Sequence, residues 1–63
     1  MERFKLLVRC IYRSLDVEFW CYIDAEDTHE AIEKAIECSK MFPFCKEAKL
    51  MNCIEKLVWR REK

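Results

Sequence analysis

From Arg3 to Arg13 the chain alternates, with Phe4, Leu6, Val8, Cys10 and Tyr12 on one side and Lys5, Leu7, Arg9, Ile11 and Arg13 on the other. A period of two marks a half-buried β-strand. Residues 16–25 repeat the pattern, with Val17, Phe19, Cys21, Ile23 and Ala25 opposite Asp16, Glu18, Trp20, Tyr22 and Asp24. A tight turn over Arg13, Ser14, Leu15 and Asp16 predicts a hairpin pairing Lys5 with Asp24, Leu7 with Tyr22, Arg9 with Trp20, Ile11 with Glu18 and Arg13 with Asp16. One face of that hairpin is apolar apart from a hydroxyl and two thiols, and is expected to be core. The other carries two opposite-charge pairs and a cation–π contact between Arg9 and Trp20.

Asp27-Thr28-His29-Glu30 reads as a capping box, in which each acid bonds the backbone N–H at the other end. A helix follows. Ala31, Ile32, Ala35, Ile36 and Ser39 recur on one side of it, and Glu30, Glu33, Lys34, Glu37 and Lys40 on the other, with Pro43 as its expected stop. Residues 47–61 fit two templates. Leu50, Met51, Ile54, Leu57 and Val58 suit a helix, whereas Met51, Cys53, Leu57 and Trp59 suit a strand. The strand is preferred, because a two-stranded hairpin is marginal alone and a third strand beside residues 3–13 completes an antiparallel sheet. Glu55 then falls on the core side unless it sits at a rim or bulge. The predicted fold is α+β, a ββαβ unit of three antiparallel strands with one helix on one face, and ββαα is the alternative.

With 63 residues there is room for one small domain. Its apolar content of 52% is too high for a disordered tail, and the absence of glycine excludes phosphate loops, the dinucleotide fingerprint and the nucleophile elbow. Twelve bases balance twelve acids, so no global charge draws the chain to nucleic acid or to an anionic membrane. The acids concentrate in residues 24–37 and the bases in residues 38–63, which makes the molecule a dipole. No apolar run reaches the roughly 18–20 residues of a membrane span. Five cysteines without a CxxC pair, and no apolar leader, point to a reducing cytoplasm.

The candidate chemistry is sparse. His29 stands alone at a helix start and reads as a surface residue, and no nucleophile, base and orienting group can be assembled, so catalysis is not expected. The cysteines lack the close spacing of a structural zinc site and read as small buried hydrophobes, with Cys45 the expected exposed thiol. No cofactor is implied. The mixed hairpin face draws most interest, because Lys5, Arg9, Trp20 and Tyr22 combine bases and aromatics beside Leu7 and Ile11. Protein interfaces favour such anchors, and so do readers of single-stranded nucleic acid. A homodimer seam is a further alternative. Trp59, Arg60 and Arg61, with Lys56 and Lys63, form a second candidate contact for an acidic groove.

The stretch YIDAEDTHEAIEKAIE, in which a strand passes through a short acidic turn into a capped helix, resembles the small phage-encoded ββαβ proteins. These include the T-odd phage inhibitor of bacterial RNA polymerase. The resemblance spans about residues 4–61 in order of elements. It implies a non-catalytic inhibitor or adaptor in the bacterial cytoplasm, with a host protein as partner, such as RNA polymerase or another nucleic-acid-processing complex. Arg60 and Arg61 lie nearest to the family's partner-contacting bases at the end of the third strand. This chain departs from the family in placing Trp59 beside them and in lacking the Arg-x-Arg spacing.

Overall fold

The computed structural model describes residues 1–42 and 45–62. Pro43, the expected helix stop, and Lys63, last of the terminal bases, lie outside the described residues. Strands β1 (Glu2–Tyr12) and β2 (Leu15–Ala25) form the hairpin. Its loop is Arg13-Ser14, whose φ angles of 50° and 67° are both left-handed. Two such residues make the turn whose twist matches that of the strands. The loop sets Tyr12 against Leu15 and Glu2 against Ala25, displacing the expected register by two residues. Lys5 therefore faces Tyr22, Leu7 faces Trp20 and Arg9 faces Glu18. A shift of two leaves every side chain on its expected face, because the pleat repeats every two residues.

Helix α1 (Thr28–Lys40) starts where the sequence places it. Asp27 accepts from the Glu30 N–H at 2.8 Å, but the return half of the capping box is not made. The Glu30 carboxylate turns instead to Lys34, at 3.1 Å. Ala31, Ala35 and Ser39 are the helix's buried residues, and their small side chains let its axis approach the sheet closely. Beneath them lie Phe4, Leu6, Val8, Ile23, Ala25, Ala48 and Leu50.

The last segment is neither one strand nor a helix. It is a second hairpin, β3 (Cys45–Met51) and β4 (Leu57–Glu62), and the sheet runs β2-β1-β3-β4, antiparallel throughout. The three-stranded expectation is thus corrected to a four-stranded ββαββ unit. Residues 52–56 connect β3 to β4, with Cys53, Ile54 and Glu55 enclosed by the bond from the Asn52 N–H to the Lys56 carbonyl at 3.0 Å. Glu55 donates to the Asn52 carbonyl at 2.9 Å, while Asn52 Oδ1 accepts from the Ile54 and Lys56 N–H groups at 3.2 and 2.9 Å. Glu55 itself has φ 60°, closing a type I turn with the left-handed residue such loops need. It therefore sits in a turn and never meets the core.

One helix cannot cover four strands. On the helix side of β2, Ile23 and Ala25 are buried, but Phe19 is 48% exposed and Cys21 is exposed as well. That part of the expected core face is open, with Phe19 stacked on Phe42 at 5.9 Å. Among the described residues, no helix is long and apolar enough to cross a membrane.

Candidate functional site

The face of the sheet away from α1 has no covering layer among the described residues, and cross-strand pairing arranges it in rows. One row reads Tyr22, Lys5, Met51, Leu57 from β2 to β4, and the next reads Trp20, Leu7, Lys49, Arg60. A third reads Glu18, Arg9, Glu47, Glu62, with Ile11 and Asp16 beyond it. Apolar and aromatic groups thus gather toward one end of the face and carboxylates toward the other. Trp20 and Tyr22 are each 56% exposed, and Leu57 is 48% exposed.

The aromatics are held in place by cations. Lys5 Nζ lies 4.8 Å from the centre of the Trp20 ring, and the Arg3 guanidinium lies 5.4 Å from that of Tyr22. Trp20 and Tyr22 meet edge to face at 5.4 Å. The expected Arg9–Trp20 contact is replaced by Lys5–Trp20, a consequence of the displaced register. Arg9 points instead to Asp16, at 3.8 Å.

Ion pairs neutralise the remaining cations. Arg3 Nε donates to Asp24 at 3.1 Å, Lys49 Nζ lies 3.6 Å from Glu47, and Arg60 bonds both Glu47 and Glu62. The Arg60 hydrogen bond holds the Glu47 carboxyl below its ordinary value, with the charge of Lys49 adding to it against partial burial. Asp24 raises the Arg3 guanidinium in the same manner, first through its hydrogen bond.

Of the residues expected to bind a partner, Lys5, Arg9, Trp20, Tyr22 and Arg60 share this open face. Trp59 and Arg61 do not. Trp59 packs half-buried against the core on the helix side, and Arg61 Nη1 donates to Ser39 Oγ of α1 at 3.2 Å. Consecutive strand residues point to opposite faces, so a run of Trp59, Arg60 and Arg61 cannot form one patch. Sequence reasoning missed Arg3, Lys49, Met51 and Leu57 on the open face. Alternation of Glu47, Lys49 and Met51 was the available signal for two of them.

His29 pairs with Glu33 at 3.2 Å on the exposed side of α1. Among the described residues, no group of three His, Cys, Asp or Glu is placed to hold a metal ion. Cys10 and Cys45 face one another across β1 and β3, both buried, which corrects the expectation that Cys45 is exposed. The exposed thiols are Cys21 and Cys53. Burial, then the neighbouring Cys45, raises the Cys10 pKa, and partial desolvation of the thiol, then Cys38, raises that of Cys21. Comparison with family models, with curated proteins and with solved structures finds no match.

Proposed function

We propose that this chain is a non-catalytic protein-binding module whose open sheet face docks on a partner protein, with Trp20, Tyr22 and Leu7 at the centre of the contact. The observation that carries this reading is the internal neutralisation of the face. Five cations, Arg3, Lys5, Arg9, Lys49 and Arg60, stand among five acids, Asp16, Glu18, Asp24, Glu47 and Glu62. Four of the cations lie within 4 Å of a carboxylate and the fifth lies over Trp20. A single-strand binder needs cations free to meet phosphates, because release of counterions supplies most of its affinity. A protein interface asks instead for exposed aromatic anchors with a polar, charge-balanced rim.

The size is suitable. The molecule measures 37 × 20 × 16 Å, so its broad face offers on the order of 700 Å², near the roughly 800 Å² each partner gives to a standard interface. In its fuller form the reading is a phage-type inhibitor or adaptor that occupies a host protein in the bacterial cytoplasm. Its support is the order of the first elements and the strand-to-helix junction around Asp27.

The test is capture from a bacterial lysate on tagged protein, with and without nuclease, beside a Lys5→Ala/Trp20→Ala double variant. A stoichiometric protein that survives nuclease, is lost with the variant and binds again when purified carries the reading. Capture that depends on nucleic acid turns the face into a single-strand binder. Empty capture together with concentration-dependent dimerisation makes it a homodimer seam.

A further inference from the structure

We infer a second docking surface, at the outer edge of β2, that takes an extended basic segment of another protein as an added strand. This surface lies on the helix side and edge of β2 and does not depend on the reading of the open face.

The edge is long and unpaired. β2 runs for 11 residues and, among the described residues, bonds only to β1. The two-residue loop makes Tyr12 and Leu15 a hydrogen-bonded pair, and such pairs alternate along an antiparallel ladder. The odd residues of β2 thus bond inward. The N–H and C=O groups of Glu18, Trp20, Tyr22 and Asp24 point outward. One side-chain bond agrees with this assignment, since Lys34 Nζ reaches the Asp24 carbonyl at 2.7 Å. Lys34 covers that end of the edge, and the outward groups of Tyr22, Trp20 and Glu18 have no strand partner among the described residues. Proteins blunt exposed edges with lysine, proline or bulges. From Ser14 to Glu33 this chain has no lysine, arginine or proline at all.

A groove of about 820 Å³ lies between this edge and α1. Buried Ile23 and half-buried Ile36 and Cys38 form its floor, and exposed Glu33 and Glu37 stand at its rim. Three acid side chains, Glu30, Glu33 and Glu37, and one base, Lys34, line it with a net charge of −2, since the Asp24 carboxylate turns to Arg3 on the open face. The charge asymmetry extends beyond the groove, since residues 14–33 hold seven acids and no lysine or arginine. An added strand presents alternate side chains to the groove. Lysine or arginine suits those positions, with its methylene stem on Ile23 and Ile36 and its charge at Glu33 and Glu37. Strand addition draws its affinity from main-chain bonds and its specificity from alternate side chains.

The probe is an acetylated and amidated eight-residue peptide alternating lysine and valine, and the control alternates glutamate and valine. Amide hydrogen exchange should slow at Glu18, Trp20 and Tyr22 with the basic peptide only. Glu33→Lys/Glu37→Lys should weaken its binding about tenfold. Glu55→Gln, a charge change in the β3–β4 loop, should leave the affinity unchanged. Failure of the β2 amides to gain protection overturns the inference without any variant being needed, and so does equal binding of the acidic peptide. Protection that grows with protein concentration in the absence of peptide overturns it too, because the occupant is then a second copy of this chain.

Discussion

Lys5 Nζ sits over the Trp20 ring at 4.8 Å, although its direct partner across the strands is Tyr22. The contact is diagonal, and it exists because the Arg13-Ser14 loop sets the register. An exposed cation–π contact contributes about 0.5–1 kcal/mol. Lys5→Ala is therefore expected to cost no more than about 1 kcal/mol, and Trp20→Ala, which also gives up its edge-to-face contact with Tyr22, no more than about 2.5 kcal/mol, while each removes partner binding. Urea denaturation followed by far-ultraviolet circular dichroism measures the first effect. A loss near that of a core truncation would make Trp20 a structural residue and leave the face without its central anchor.

The turns carry the second prediction. Arg13, Ser14 and Glu55 all have positive φ, at 50°, 67° and 60°, in a chain without glycine. The left-handed conformation costs an ordinary residue about 1 kcal/mol, and glycine avoids most of it. Ser14→Gly and Glu55→Gly should each stabilise the protein by roughly 0.5–1 kcal/mol, less the extra entropy glycine brings to the unfolded chain. The denaturation midpoint should rise with its slope unchanged. A fall in either midpoint would mean that the loop does not hold that residue left-handed.

The same turns explain what could be read from the sequence and what could not. Alternation showed β1, β2 and which of their faces turns to the helix, although Tyr12, Phe19 and Cys21 on that face stay exposed, and Asp27 showed where α1 begins. The register escaped because a two-residue shift leaves the apolar and polar pattern identical, so only turn chemistry could decide it, and Arg-Ser is not a recognised hairpin pair. The fourth strand escaped because Glu55 stands where glycine would have announced a turn, and residues 47–61 read as one element. The hint was Asn52, whose side chain binds two backbone N–H groups of the loop. Half the open face followed from β1 and β2. The half from β3 and β4 was hidden with that turn, and the pleat then divided Arg60 from Trp59 and Arg61.

Thiol accessibility supplies a third prediction. Cys10 and Cys45 are 6% and 8% exposed and lie opposite one another beneath the helix, whereas Cys53 is exposed in the β3–β4 loop. A thiol reacts as the thiolate, and desolvation raises the pKa of both Cys10 and Cys21. In native protein at neutral pH, an aromatic disulfide reagent should modify Cys53 first and Cys21 more slowly. Cys10 and Cys45 should react only on unfolding. Mass spectrometry of quenched time points assigns the order, and Cys45 labelling as fast as Cys53 would contradict the placement of β3 against β1.

The last prediction concerns acid. Glu47 Oε2 accepts from Arg60 Nη2 at 2.6 Å and from Arg60 Nε at 3.1 Å, with Lys49 nearby at 3.6 Å. These groups favour the carboxylate and lower the Glu47 pKa from its ordinary 4.5 in the folded state. Between the folded and the ordinary value the unfolded chain binds more protons, so stability rises with pH there. The contribution is complete above 4.5 and is lost as pH falls through the lowered folded value. Glu47→Gln removes this titration. The difference in unfolding free energy between wild type and variant should hold constant from about pH 7 to about pH 5.5 and then shrink on further acidification. If both proteins lose stability in parallel through the acid range, Arg60 does not hold Glu47, and the bond joining β3 to β4 across the open face is not made in solution.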